Sequence, residues 1–299
     1  MAEDNNKTLE KRIVDTLKIA ESRGYNLTLE KLSENLVGGK KTKKEIFDAI
    51  KENKFFEFDG KFISTIGNLK SDKCKKRFQT NNDLQIQYLT IAQKFTSEFI
   101  KFCPFIKCIM ISGSMASDGL CKDDDIDLNI VVDNGSKYTS WLLGILLSLK
   151  YSMKYRKEFN VKWFNSIARV ICISVIWEKH QVIPFARKDL QIAYELFLNK
   201  KVLYNKKFYK QILFENQWLN EWFPQIYDED EDTGIEIEKK IINNKKPNRI
   251  IEFFSKTFIF LLYYWIEATI FWHDELINRM HYVNNAKYPY AILDIPKKE

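Results

Sequence analysis

Apolar residues recur along the chain with helical and strand periods, and their spacing predicts most of its elements. Residues 7–53 contain three stretches with helical spacing, which predict three short helices; Gly38-Gly39 separates the second from the third. Thr28 and Thr42 precede the second and third stretches, and both are typical helix N-caps. Two short alternating runs then flank Asp59-Gly60, a dipeptide typical of a two-residue hairpin turn.

Three helices followed by a hairpin is the element order of a winged helix-turn-helix, so we expect such a domain over residues 1–68. Residues 1–77 carry 18 Lys and Arg against 13 Asp and Glu. Four lysines lie at the start of the third helix: Lys40, Lys41, Lys43 and Lys44. Lysines there meet phosphates when such a domain binds DNA, which makes DNA one predicted partner. The other interpretation is a packing or dimerisation module whose lysines form a solvated face.

The rest of the chain alternates helical stretches with short apolar runs, and this mixture predicts an α+β protein. Strands are predicted over 106–111, 125–132 and 168–177, and helices over 81–102, 140–151, 189–199, 206–223 and most of the chain from 236. We therefore expect a central domain over residues 69–226 and a C-terminal helical region over residues 227–299.

One apolar segment, Phe253–Trp272, is long enough to cross a bilayer. It contains Lys256 and Glu267, each of which is costly at membrane depth. The prediction is therefore a buried or interfacial helix and no membrane span. An alternative use for this helix is a platform that binds a partner.

Composition narrows the class of protein only modestly. Among 299 residues, 45% are hydrophobic and 29% charged, a globular balance that excludes wholesale disorder. The net charge of +7 is compatible with a nucleotide or nucleic-acid partner. The five cysteines form no CxxC pair and none lies near a histidine at zinc-finger spacing, which argues against a structural zinc site. With no secretory signal at the N-terminus, we expect reduced thiols in the cytoplasm.

The candidate residues for binding phosphate and metal lie at two neighbouring predicted strands. Gly113-Ser114 follows the first strand, and glycine lets a backbone approach a phosphate closely while serine offers a hydroxyl. Asp125 and Asp127 alternate at the start of the second strand, so their carboxylates share one face. Such a pair suits Mg²⁺, which prefers oxygen ligands. Ser117 is either a further phosphate contact or a turn residue.

The spacing Gly-Ser, ten residues, Asp-x-Asp resembles that of the polymerase-β-type nucleotidyltransferase superfamily. The chain is also similar to bacterial and archaeal nucleotidyltransferase-domain proteins with an N-terminal winged helix, notably over CPFIKCIMISGSMA and ARVICISVIW. The resemblance implies a central mixed sheet with flanking helices. It also implies that Gly113 and Ser114 contact a nucleoside triphosphate, and that Asp125 and Asp127 are catalytic ligands of two Mg²⁺ ions, for which Mn²⁺ can substitute. The implied reaction transfers a nucleoside monophosphate to a hydroxyl of an unspecified acceptor and releases pyrophosphate.

One position departs from the superfamily pattern. Members usually carry a third carboxylate on the next strand, where this chain has Ser174 at the central polar position. Serine cannot accept a proton from an acceptor hydroxyl at neutral pH as a carboxylate can. Glu178 shares the face of Ser174 but lies ~13 Å further along the strand. The alternative hypothesis is therefore a catalytically weak or silent DNA-binding regulator that senses a nucleotide.

Overall fold

The computed structural model combines helices with two sheets, which confirms the predicted α+β class. The residues that it describes are 2–22, 25–51, 53–68, 82–117, 119–121, 124–155, 158, 170–185, 188–198, 200–227, 237 and 248–269. Most of the predicted C-terminal region therefore lies outside the described residues, as does the end of the apolar segment at 270–272.

The N-terminal unit, residues 2–68, contains three helices and a small sheet. Its elements are α1 (Ala2–Ser22), β1 (Leu27–Thr28), α2 (Leu29–Glu34), α3 (Lys43–Ile50), β2 (Phe56–Phe58) and β3 (Phe62–Thr65). The strands pair antiparallel in the order β1-β3-β2. The predicted helices and hairpin strands are confirmed, whereas β1 is a strand that the sequence did not predict, because two residues are too few to show alternation.

Threonine caps begin two of these helices, as predicted. Thr28 Oγ1 accepts a hydrogen bond from Lys31 N at 3.2 Å, and Thr42 Oγ1 accepts one from Glu45 N at 3.2 Å. Glu45 Oε2 in turn accepts from Thr42 N at 2.9 Å, which completes a reciprocal capping box at α3. The helices bury one apolar core with the sheet, made by Ile13, Leu17, Leu32, Ile46, Ile63 and their neighbours.

The hairpin between β2 and β3 has its two-residue tip at Gly60-Lys61, one residue after the predicted Asp59-Gly60, because Asp59 N donates to Phe62 O at 3.2 Å and Phe58 pairs with Ile63. Three residues, Asp59 to Lys61, separate the strands. Asp59 Oδ1 accepts hydrogen bonds from the backbone nitrogens of Lys61 (3.0 Å) and Phe62 (2.8 Å), so the aspartate side chain stabilises the turn. Gly60 has φ +92°, a backbone angle that is unfavourable for residues with a side chain.

A four-stranded mixed sheet forms the centre of the molecule. Its strands are β4 (Ile106–Ile111), β5 (Ile126–Val132), β6 (Ile171–Glu178) and β7 (Lys201–Tyr204), in the order β6-β5-β4-β7. Strands β5 and β6 are parallel, and the other neighbours are antiparallel. Strand β7 was not predicted, since four residues directly after a helical stretch carry too short a pattern and only pairing with β4 identifies them.

Helices cover both faces of this sheet. They are α4 (Asn82–Phe102), α5 (Gly113–Ala116), α6 (Lys137–Tyr155), α7 (Lys179–Val182), α8 (Leu190–Ala193) with a π-helical extension (Tyr194–Leu198), and α9 (Lys206–Glu215). Two 3₁₀ turns follow, Gln217–Glu221 and Pro224–Ile226. Alternation along β5 sends Ile126, Leu128 and Ile130 into the core with α4 and α6, whereas Val131 joins the core on the other face.

The N-terminal unit docks on the turns after α9 and on the loop after α5. Gly38 N donates a hydrogen bond to Trp222 O at 2.6 Å, and Gln225 Nε2 donates to Leu36 O at 3.0 Å. Tyr25 packs so closely on Gly119 that a Cβ there would lie 2.4 Å from the tyrosine ring. The predicted domain boundaries remain predictions, but the described parts on either side of them are in contact.

Helix α10 (Arg249–Thr269) confirms that the apolar C-terminal segment is helical in its described part. It packs on α6, where Glu252 accepts hydrogen bonds from Tyr138 N (2.7 Å) and Thr139 N (2.8 Å). A carboxylate at that helix N-terminus satisfies amides that have no partner within the helix. Over the described residues, none of the helices combines the length and apolarity that crossing a membrane requires.

Candidate active site

The turn between β4 and α5 brings the predicted glycine against the predicted aspartate pair. Ser112 N donates to Asp127 O at 2.9 Å, which joins the end of β4 to the start of β5. Gly113 then takes φ +65°, a left-handed conformation that favours glycine. A Cβ at this position would lie 2.1 Å from Asp127 Oδ2. Both the backbone conformation and the adjacent carboxylate therefore require glycine here.

The serines that follow this glycine belong to α5 and its end. Ser114 is buried in the first turn of α5. Ser117 Oγ donates to Gly113 O at 3.2 Å, and Ser117 N donates to the same carbonyl at 3.2 Å. The turn role of Ser117 is thus visible in the structure, and its phosphate contact stays a prediction.

Asp125 and Asp127 meet as the alternation predicts. The loop before them is closed by Cys121 N, which donates to Asp124 Oδ2 at 3.0 Å, and by Asp124 N, which donates to Cys121 O at 3.0 Å. One carboxylate oxygen of Asp125, one of Asp127 and the Sγ of Cys172 all lie within 4.8 Å of one another. All three residues are half-buried. We call these three side chains the Asp-Asp-Cys cluster.

Strand β6 contributes Cys172 to this cluster and places Ser174, at a bulge, beside it. Cys172 is the partner of Asp127 in the parallel register, and the register shifts after Leu128, which leaves Ser174 opposite no residue of β5. Ser174 Oγ donates to Asp127 Oδ1 at 2.6 Å and lies 3.9 Å from Cys172 Sγ. The structure therefore brings the predicted Ser174 to Asp127 and adds Cys172, which the sequence reasoning missed. Cys172 and Ser174 are alternate residues on one face of a predicted strand, a signal that could have found both.

Glu178 does not reach this site. It pairs with Val132 at the far end of β5, and its Oε1 accepts a hydrogen bond from Gly135 N at 2.8 Å. Its Oε2 lies 3.3 Å from His180 Nδ1. Glu178 therefore has a structural role at the strand end, in line with its distance from Ser174 in sequence.

Burial dominates the electrostatics of the cluster. It raises the pKa of the Asp127 carboxyl above its ordinary value, although the hydrogen bond from Ser174 and the charge of Lys200 oppose that rise. The pKa of the Cys172 thiol is also raised, well above its usual value, by burial and then by the negative charges of Asp127 and Asp125. Cys172 is therefore a protonated thiol at neutral pH unless a cation binds beside it.

Lys200 is a second residue that the sequence did not single out. It lies between the π-helical extension of α8 and β7, where burial lowers its pKa to about 7 against the opposing attraction of Asp127. Near neutral pH this lysine is thus divided between its charged and neutral forms. Only the pairing of β7 with β4 brings it near Asp127, so no local pattern signals its position.

The donor set of the cluster fits a divalent cation. One oxygen of Asp125 and one of Asp127 lie within 4.8 Å of each other, and carboxylate oxygens are the ligands that Mg²⁺ and Mn²⁺ prefer. The thiol of Cys172 adds a softer donor beside them. A bound cation would oppose the burial that raises the pKa of Asp127 and of Cys172, because it favours their anionic forms.

Comparisons with protein-family models and with curated proteins identify no relative of this chain. The chain matches no protein-family model, and no curated protein matches it. The interpretation of the site therefore depends on its residues and geometry.

Proposed function

We propose that the protein is a divalent-metal-dependent nucleotidyltransferase that uses a nucleoside triphosphate as donor. The observation that carries the proposal is the packing of Gly113 against Asp127, with Asp125 beside it. A left-handed glycine turn next to two convergent carboxylates suits a polyphosphate bridged to the protein by cations.

Asp125 and Asp127 would hold Mg²⁺, with Mn²⁺ as a substitute, and the amides after Gly113 would face the triphosphate. Cations there would neutralise charge on the attacking and leaving oxygens of an in-line displacement. Ser174 keeps the Asp127 carboxylate oriented through its 2.6 Å hydrogen bond to Oδ1.

In the proposed reaction, the acceptor hydroxyl oxygen attacks the α-phosphorus. The bond from that phosphorus to the bridging oxygen breaks and pyrophosphate leaves, while the hydroxyl proton passes to solvent or to a substrate phosphate oxygen. Among the described residues, the third member of the cluster is a thiol rather than a carboxylate. Phosphoryl transfer depends mainly on positioning and charge, so a weak base is compatible with turnover.

We also infer the finer architecture. The three helices and the β1-β3-β2 sheet of the N-terminal unit support a winged helix-turn-helix. A mixed sheet with Gly113 after β4 and the aspartates at the start of β5 supports a nucleotidyltransferase core.

Lys41 and Lys43, which are predicted to meet DNA phosphates, both have acidic partners. Lys43 Nζ lies 2.7 Å from Glu30 Oε1, and Lys41 Nζ lies 3.0 Å from Glu45 Oε1. These pairs reduce the positive charge that the start of α3 offers to phosphates. The DNA-binding regulator therefore stays a prediction, and we do not adopt it as a second function.

The test is pyrophosphate release from each of the four common nucleoside triphosphates with Mg²⁺, using the Asp125→Ala/Asp127→Ala double variant. We expect turnover to fall at least ~1,000-fold, because the cation sites are lost. Asp133→Ala is the matched control: it removes a carboxylate at the other end of β5, where Asp133 pairs with Lys107 at 2.9 Å. Unchanged turnover in the double variant would refute the proposed function.

A further inference from the structure

The placement of Cys172 differs from that of the other buried thiols. Cys103 and Cys108 belong to the apolar cores on the two faces of the sheet and are at most 1% exposed. Cys172 is half-buried and belongs to neither core. Its sulfur lies instead among polar groups, within 4.8 Å of one oxygen of Asp125 and one of Asp127.

The strand geometry fixes this placement. Cys172 and Asp127 are register partners on parallel neighbours, so their side chains project from adjacent strands on the same face. Ser174, the residue at the bulge, also reaches Asp127, where it donates to Oδ1. The Cys172 thiol therefore lies beside the Asp127 carboxylate, while Ser174 separately makes the hydrogen bond to Asp127 Oδ1.

We propose that Cys172 is the third protein ligand of this site. Because of this ligand, one cation position binds a thiophilic divalent cation, of the Zn²⁺ or Co²⁺ class, in preference to Mg²⁺. Carboxylates alone suit hard cations, whereas a thiolate adds a donor that Mg²⁺ binds poorly. The inference rests on the proposed function only in assigning Asp125 and Asp127 as ligands of the same cation. A two-metal site has a second cation position, which Mg²⁺ bound to the triphosphate would occupy.

Cobalt provides a probe that does not depend on turnover. Titration of the metal-free full-length protein with Co²⁺ should produce a thiolate-to-cobalt charge-transfer band in the near ultraviolet. The Cys172→Ser variant should lose this band, and its Co²⁺ affinity should fall by at least the ~10–100-fold that loss of a supporting residue costs. Cys121→Ser is the matched control, because Cys121 is a half-buried thiol on the loop before Asp125; this variant should keep the band.

A second variant tests the same proposal if the Cys172→Ser substitution perturbs strand β6. Cys172→Asp should still bind Co²⁺, without the charge-transfer band, and should gain affinity for Mg²⁺ at least tenfold by calorimetry. Circular dichroism verifies that each variant is folded. The inference is overturned if wild-type protein binds Co²⁺ without the band or does not bind it, or if Cys172→Ser retains the band.

The two proposals fail in different ways. A charge-transfer band that depends on Cys172, with no pyrophosphate release from any triphosphate, would refute the proposed function and support the metal site. Turnover that depends on Asp125 and Asp127, with no such band, would refute the role of Cys172 alone.

Discussion

The N-terminal unit and the end of the central sheet shift the pKa of an acidic side chain in opposite directions. In the N-terminal unit, Glu45 is exposed and accepts hydrogen bonds from Thr42, which with Lys41 lower its pKa to about 2. At the end of the sheet, Asp127 is half-buried and its pKa is raised. The ionised form of Glu45 thus stabilises the fold, whereas ionised Asp127 destabilises it.

This contrast distinguishes a charge that stabilises the fold from a charge at the candidate site. A carboxylate that costs folding free energy and converges with a second carboxylate and a thiol is typical of a site whose charge a ligand compensates. The stability of the central sheet comes instead from the apolar cores on its two faces. Variants that change one type of charge and spare the other can test the distinction.

A large loss of activity should come from Gly113→Ala, which leaves both aspartates in place. The new Cβ would collide with Asp127 Oδ2 and force the carboxylate to move, and a shift of about 1 Å can cost ~100-fold in rate. We expect at least that loss in pyrophosphate release. Gly135→Ala is a matched control, since Gly135 has φ +77° but nothing within 4 Å of its Cβ position. If both variants lose the same activity, backbone strain and not the Asp127 contact explains the loss.

Asp127→Asn should stabilise the metal-free protein while abolishing turnover. Neutralising the buried carboxylate removes its cost, and we expect a gain of about 0.5–2 kcal/mol in the free energy of unfolding. Since the pKa of Asp127 is raised, the wild-type penalty is present at neutral pH and vanishes as pH falls below the ordinary value of 3.8. The gain should vanish in the same range. Urea unfolding in the presence of a chelator measures it, and a loss of stability at pH 7 would contradict this view of the site.

Thr42→Ala should have the opposite sign, with a loss of about 1 kcal/mol from the missing helix cap. The pKa of Glu45 is lowered, so its stabilisation is present above its ordinary value of 4.5 and is lost as pH falls toward about 2. Wild-type protein should therefore lose more stability than the variant across that range. Equal pH profiles in urea unfolding would show that the capping box does not stabilise α3.

Lys43→Ala should give the smallest change. Its ion pair with Glu30 joins side chains that are 57% and 62% exposed, and pairs of this kind contribute less than about 1 kcal/mol. We expect a loss of less than about 0.5 kcal/mol that disappears in high salt. Lys44→Ala, one position along α3, serves as the comparison. A loss above about 1 kcal/mol would mean that charges of the N-terminal unit matter more than exposure implies.

Local pattern was sufficient to predict much of the fold. Strand β4 has the predicted bounds, and β5 begins one residue after the predicted start. The capping sequence from Thr42 to Glu45 is equally local, since all of its hydrogen bonds lie within four residues. In contrast, β1 and β7 are too short to carry a period and are strands only because a neighbour pairs with them.

For the candidate site, the sequence by itself determined that Asp125 and Asp127 share a face and that a glycine turn follows β4, because both depend on bonds between near neighbours. Only the tertiary structure decided that Cys172 is opposite Asp127, that Lys200 and Asp127 influence each other's charge, and that the loop after α5 packs on Tyr25. Parallel register depends on how the crossover helix and the cores pack, and chain segments far apart in sequence meet only through that packing.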